Sequence, residues 1–293
     1  MSRARGLAWV LLLVLLGYLS WSRERPSRQA TKHDGLLLVE GDFHVHTRFS
    51  DGIVSPADVV LLAEDRQLDV VAVTEHNVTF PAKLARLFAE LKSSRVLVLV
   101  GEEVTSRDAH LLALGIEETV DPRQSVHAVA DAVHAQGGVI AAAHPVKLYW
   151  PALEPACAQL DAVERLHPLA FREPQAWGAW SDVVEFQRRC GNPPSLGNSD
   201  FHFGPDFGEP RTYLFVESLT REGVLDAIRA GRTVVRDPDG SLFGEERWVR
   251  ALPAVPEPPR VLPRSSARRV VGFLALLLFA ALFVSAARER TAT

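Results

Sequence analysis

The chain has 293 residues, 47% of them hydrophobic, enough apolar content for a sizeable core in one large domain or two modest ones. Its 32 Lys and Arg against 36 Asp and Glu leave a formal net charge of −4, so the balance gives no basic surface for nucleic acid. Two cysteines, Cys157 and Cys190, exclude a disulfide framework and a CxxC metal site, so a transition-metal centre must draw on the 10 histidines and on carboxylates.

In chain order, an apolar run from Gly6 to Trp21 comes first, flanked by Arg3, Arg5, Arg23 and Arg25; residues 1–22 read as an N-terminal membrane anchor or signal-anchor. A polar leader covers residues 23–35. The folded region, residues 36–248, alternates short apolar runs with helical patterns. Val70 to Val73, Val96 to Val100, Val139 to Ala143 and Tyr213 to Val216 read as buried strands. Ser55 and Pro56 start a helix running to about Arg66, with Ser55 as N-cap. Pro81 to Leu91, Ser125 to Gln136, Trp180 to Arg189 and Thr220 to Ala230 read as further helices, stopped by Gly137-Gly138 and by Gly231 in the second and fourth cases. The alternation indicates an α/β domain on a parallel sheet, open or closed into a barrel. A proline-rich spacer, residues 249–269, precedes a second apolar run, residues 270–287, read as a transmembrane helix, and a tail, residues 288–293. With two spans, the lipid bilayer is an expected partner, and the arginines and lysines near the membrane lean toward a cytoplasm-facing domain.

The histidines are placed unevenly. His44 and His46 follow Gly41-Asp42-Phe43 where the first strand should end, and two-residue spacing puts both imidazoles on one face with Phe43 and Val45 on the other. Asp51 sits in the next turn, and Asp200-Phe201-His202 repeats the spacing far down the chain. Between them Glu75-His76, Glu102-Glu103 and His144 each follow an apolar run, and C-terminal strand ends converge on one rim in parallel α/β domains. His110, just before Leu111 to Leu114, enters that rim from the opposite direction. Imidazoles and carboxylates so placed are a metal-site signature, since carboxylates bridge cations and imidazoles complete each shell. His33 falls in the leader, His127 and His134 on a helix surface, and His167 stays open between rim and loop.

Taken in order, His44-Val45-His46, Ser50-Asp51-Gly52, Thr74-Glu75-His76-Asn77, Gly101-Glu102-Glu103, His110, Ala143-His144-Pro145 and Asn198-Ser199-Asp200-Phe201-His202 resemble the motifs of the PHP (polymerase and histidinol phosphatase) superfamily. The resemblance runs from Gly41 to Arg236 and includes Ala230-Gly231-Arg232-Thr233. It implies a distorted, seven-stranded TIM-like (β/α)7 barrel, here flanked by the two transmembrane helices. It also implies two or three divalent ions per chain (Zn, Mn or Fe). One ion would take His44, His46, Glu103 and Asp200; a second would share Glu103 and add His110 and His144; a third would take Asp51, His76 and His202. Glu103 is the bridge by register, with Glu102 beside it as the alternative. Glu75 stands where the family carries Asp, one methylene longer behind His76.

The activity implied is phosphoester hydrolysis by metal-activated water on a phosphorylated small molecule or a membrane-proximal phosphoester. Asp51, Glu103 and Asp200 are the carboxylates of that reaction, and Arg211 is a candidate phosphate contact. Two alternatives stand beside it: a membrane-anchored metal-binding module without turnover, and a nuclease for nucleic-acid ends. The absence of a basic stripe disfavours the second.

Overall fold

The valine-rich runs become strands because their alternate side chains enter two different apolar layers. The computed structural model describes residues 31–168, 180–204, 206–236 and 240–252, all within one unit, Arg28–Pro259. Strands β1 (Thr31–His33) and β2 (Leu36–Asp42) form an antiparallel hairpin. From β2 the sheet continues through β3 (Val70–Val73), β4 (Leu97–Thr105), β5 (His110–Leu114), β6 (Val139–Ala142), β7 (Ala162–Leu166) and β8 (Ser195–Gly197). On the other edge of β2 lie β9 (Arg211–Val216), β10 (Thr233–Arg236) and β11 (Leu242–Gly244), all antiparallel.

Pairing from β2 to β4 and from β6 to β8 is parallel, whereas β5 is antiparallel to both of its neighbours. The reversal puts the first residue of β5, His110, at the end where its neighbours finish. Beyond the strands, Val45 forms a parallel bridge with Phe201. His46 N–H donates to Phe201 O at 3.0 Å and Phe201 N–H to His44 O at 3.3 Å, so the β2 and β8 ends of the run meet at this rim. The result is the α/β barrel-like fold expected.

Inside the barrel Val39, Phe43, Val70, Ala72, Leu99, Leu112, Leu114, Val139, Ala141 and Ala162 pack together. The alternate residues face outward: Val71, Val73, Val98 and Val100 onto helices α1 (Pro56–Asp65) and α2 (Phe80–Lys92). Leu111, Ala113, Ile140, Ala142 and Val163 face α3 (Val126–Ala135) and α4 (Trp150–Leu153), with Val183 and Phe186 of α5 (Trp180–Arg189) in the same layer. Helix α6 (Arg221–Arg229) packs Val224, Leu225, Ala227 and Ile228 against the inner cluster. Helix α7 (Glu246–Ala251) sets Trp248 against Phe215, ring centroids 4.8 Å apart. The α1 start is a capping box: Ser55 Oγ accepts from Asp58 N–H at 3.2 Å, and the Asp58 carboxylate accepts from Ser55 N–H at 3.0 Å.

Four readings are corrected. The expected membrane protein with two spans is not found: among the described residues no helix is long and apolar enough to cross a membrane. The runs from Gly6 to Trp21 and Val270 to Ala287, and the spacer from Pro253 onward, lie outside the described residues. The folded region takes in the end of the leader, since Thr31–His33 pairs with Leu36–Leu38 around the Asp34-Gly35 turn. The two cysteines are not independent: Cys157 and Cys190 form a disulfide with Cα atoms 5.0 Å apart, tying the 3₁₀ segment Glu154–Gln159 to the end of α5. Finally, His44 and His46 lie past the end of β2, and Phe43 and Val45 do not share a face. Phe43 enters the inner cluster while Val45 packs outward with Val71, Val73 and Phe201.

Candidate metal centre

Strand period fixes which glutamate reaches the rim cavity. Leu99 of β4 points inward and Val98, Val100 and Val104 outward, so Glu103 shares the inner face and Glu102 the outer one. Glu103 Oε1 lies 2.8 Å from His110 Nδ1 and 3.1 Å from His144 Nε2. Its Oε2 lies 2.7 Å from His76 Nδ1, 3.5 Å from His46 Nε2 and 3.6 Å from His44 Nε2. Glu102 instead accepts Val120 N–H at 3.0 Å behind the strand. The neighbouring alternative to Glu103 is thereby set aside.

Asp200 is the second anionic hub. Its Oδ1 is 3.1 Å from both His44 Nε2 and His46 Nε2, and those two nitrogens face each other at 3.0 Å. Asp51, His76 and His202 form the outer corner, with Asp51 Oδ2 3.3 Å from His76 Nε2 and 3.2 Å from His202 Nε2. His46 Nδ1 reaches the same corner, 3.7 Å from Asp51. All nine expected ligand positions, His44, His46, Asp51, His76, Glu103, His110, His144, Asp200 and His202, thus converge. Eight of them fall into overlapping groups, His46 with Asp51, His76 and His202, His44 with Glu103 and His144, and His44 with His46 and Asp200, while His110 joins through Glu103.

Three residues behind the ligands carry weight that sequence reasoning missed or left open. Glu164 lies on the inner face of β7, where Oε1 is 3.0 Å from His44 Nδ1 and accepts Asn198 Nδ2–H at 2.9 Å. Its Oε2 accepts His144 N–H at 2.7 Å. A carboxylate on Nδ1 leaves Nε2 of His44 with its lone pair toward the cavity. The signal was a glutamate at even spacing from Ala162 and Leu166, on the opposite face of the strand from Arg165. His167 is a rim residue, with Nε2 2.6 Å from Asp200 Oδ2, and it joins His144 and Asp200 in a fourth group. Asp42 accepts from the Ser199 hydroxyl at 2.5 Å, from Ser199 N–H at 3.0 Å and from Gly208 N–H at 3.0 Å, tying the Asp200 turn to the end of β2. Burial pushes the Asp42 carboxyl up to about 6 against the opposing effect of these donors.

Asp200 itself has φ +43°, and Asn77, beside His76, has φ +57°. Non-glycine residues in the left-handed region cluster where a fold over-determines a site. Glu75 accepts Thr47 N–H at 2.8 Å and the Ser50 hydroxyl, so it braces the loop that carries Asp51. His76 is oriented by Thr105 Oγ1, 2.7 Å from its Nδ1. The longer acid thus serves the 47–52 loop and leaves His76 to another partner.

Arg211 stands elsewhere and its assignment is corrected. The guanidinium is 2% exposed, 2.5 Å from Glu40 and 2.8 Å from Glu209, with a further bond to Gly208 O at 3.1 Å. Its donors are spent on buried Glu40, partly buried Glu209 and backbone carbonyls, so it is not presented to a phosphate at the cavity.

The electrostatics ask for a cation. Burial opposes ionisation of Glu103, yet His44 and the facing imidazoles hold its carboxyl well below the usual range. Asp200 is likewise held well below, His44 and His167 outweighing burial. Burial alone would depress His44, but Asp200, Glu164 and Glu103 draw it well above its ordinary value. His46 is lowered, burial being the main cause. Glu103 Oε2 and Asp200 Oδ1 are buried and ringed by imidazole nitrogens, without a hydrogen bond of good geometry. Buried, ionised oxygens converging with imidazole nitrogens fit divalent cations, which would take the place of the proton that these carboxylates favour on His44.

Residues 42–147 match the family model of the PHP domain. That span holds the ligand positions from His44 to His144, while Asp200 and His202 lie beyond it. The chain is 25% identical over 134 residues to an uncharacterized protein of Methanocaldococcus jannaschii, covering 42% of this chain and 77% of that one. A two-domain protein from Bacteroides vulgatus, whose crystal structure is described as containing a predicted PHP-like metal-dependent phosphoesterase, is similar in fold. Its TM-score is 0.63 at 21% identity, over 78% of this chain and 73% of the other. An amidohydrolase from Chromobacterium violaceum, solved with bound sulfate and no metal, gives a TM-score of 0.46 at 16% identity, over 67% and 97% of the two chains.

Proposed function

We propose that the chain is a metal-dependent phosphoesterase of the PHP type. The observation that carries the reading is the pair of buried, ionised carboxylates, Glu103 and Asp200, each meeting imidazoles from several strand ends. Two or three divalent ions, Zn, Mn or Fe, would be held by the nine converging residues. When bound, such ions supply Lewis acidity, polarising phosphoryl oxygens and making water acidic enough to attack phosphorus near neutral pH. The chain's own part is positional. Glu103 and Asp200 supply fixed negative charge, Glu164 sets the tautomer of His44, and Asp42 fixes the turn bearing Asp200. Asp51, half exposed between His76 and His202, offers the carboxylate nearest to entering substrate. A metal-binding module without turnover would share the ligands but not the reaction.

The test is a panel of phosphoesters offered to the chelator-treated chain reloaded with Mn²⁺ or Zn²⁺. Release of inorganic phosphate that disappears on Glu103→Gln substitution is expected. Full metal loading with no hydrolysis of any ester would leave the non-catalytic module.

A further inference from the structure

Large apolar side chains left in water are concentrated at the mouth of the metal centre. Among the described residues the exposed ones are Phe49, Ile53, Phe80, Leu87, Leu91, Leu148 and Phe203. Only Leu87 and Leu91, on α2, are unrelated to the mouth. Phe49 and Ile53 flank Asp51 at two residues on either side, and Phe203 follows His202 directly. Ile53 N–H donates to His202 O at 3.0 Å, which holds the Ile53 and Phe203 loops together. Phe80 meets Phe49 edge to face, with ring centroids 6.1 Å apart. Leu148 stands on the opposite flank, beside Tyr149, whose ring lies parallel to His110 at 4.9 Å. Phe49, Ile53 and Phe203 thus sit close in the chain to Asp51 and His202, with Phe80 against Phe49, and Asp51 is the ligand position most open to solvent.

Among the described residues near the mouth, Arg107 in the turn between β4 and β5 is exposed, while the other cations face acids or are buried. Arg48 is 3.9 Å from Asp58, Lys147 is 2.8 Å from Asp182, and Arg211 is buried. An ester with several phosphates would use such cations but leave the exposed apolar side chains unused. A single phosphate carried by an apolar group would instead set its charge on the centre and its remainder on the collar.

Resting on the phosphoesterase reading, we infer that the substrate is a phosphomonoester of an apolar alcohol or phenol, its hydrocarbon part held by Phe49, Ile53, Phe80 and Phe203. Burial of each methylene at full value corresponds to a factor of about four in affinity, so partial burial gives about twofold per carbon.

The experiment compares n-butyl, n-hexyl and n-octyl phosphate, below their micellar concentrations, with 1-naphthyl phosphate and glycerol 1-phosphate on the metal-loaded full chain. We expect kcat/KM to rise about tenfold or more from butyl to octyl, with glycerol 1-phosphate the poorest. A preference for octyl over naphthyl would identify an alkyl source, and the reverse an aryl one. Phe49→Ala and Phe203→Ala should each cut the octyl-to-butyl ratio by about threefold or more, and Leu91→Ala should leave it unchanged. Titration calorimetry with n-octylphosphonate and n-butylphosphonate gives a readout independent of turnover. Octylphosphonate should bind more tightly, with a more negative heat-capacity change that Phe49→Ala diminishes. Hydrolysis that is flat or falls with chain length, or equal binding of the two phosphonates, would overturn the collar and leave the phosphoesterase reading standing. Failure to hydrolyse any ester while octylphosphonate still binds preferentially would do the reverse.

Discussion

Adjacent glutamates in the sequence Gly101-Glu102-Glu103 face opposite layers, and their ionisation follows. Glu103 stays charged among imidazoles, whereas burial pushes the Glu102 carboxyl up to about 7, with Val120 N–H opposing only in part. A carboxyl whose folded pKa exceeds its unfolded value of about 4.3 favours the fold at low pH, and that contribution is lost as pH rises to about 7. Glu102→Gln should therefore raise stability at pH 8 by up to about 3 kcal/mol and flatten the dependence between pH 4 and 7, as read by denaturant unfolding. Glu103→Gln should do the opposite to function, lowering phosphoester turnover by about 100-fold or more. Equal loss in the two variants would reject the assignment. Glu164→Gln should weaken metal binding about 10- to 100-fold while the ligands remain intact, measurable by chelator competition. Period two says that Glu102 and Glu103 face opposite layers, but the uniformly apolar run from Val96 to Val100 does not reveal which layer is the cavity. Glu164 was legible in principle, but a charged residue in a buried strand has many structural explanations until its partner 120 residues away is seen. Arg211 shows the converse: an arginine near a ligand motif reads as a phosphate contact until Glu40 and Glu209 are found to hold it.

At the scale of elements, hydrophobic period and caps located most of what forms. Val70–Val73 and Trp180–Arg189 coincide with the runs read from the sequence, and Ser55 caps α1 as expected. The reversed direction of β5 was signalled by His110 standing before its apolar run, where His76, Glu103 and His144 each stand after one. Pairing between distant segments was not legible. The β1 hairpin and the Val45–Phe201 bridge depend on partners that local pattern cannot name. The disulfide belongs here too, since two cysteines 33 residues apart say nothing of proximity. Closing a loop of that length contributes about 3–4 kcal/mol by the chain-entropy account. Reductant should therefore lower the melting temperature of the wild-type chain. Cys157→Ser should already sit at the lower value and be insensitive to reductant; identical melting of all samples would show the bridge to be without consequence.

Across the whole molecule, the barrel joins at its most polar point. His44 and His46 lie on one side of the Val45–Phe201 bridge and Asp200 and His202 on the other, with Glu103, His110 and His144 across the cavity. Cations that bind all of these cross-link the two ends of the strand run, so folding and metal binding are coupled. Chelator treatment should lower the unfolding midpoint of the full chain, and Mn²⁺ or Zn²⁺ should restore it. The apolar runs at the two ends suggested membrane spans because composition alone was available there; no helix among the described residues has that character. The central claim is that the rim holds more than one catalytic cation, and the most direct test is a metal titration of the chelated chain with phosphate release followed at each step. The account predicts activity that rises to a plateau at two or more bound equivalents per chain by elemental analysis, and no such rise for Glu103→Gln. Absence of bound metal under every loading condition, or phosphate release unchanged by chelation, would contradict it.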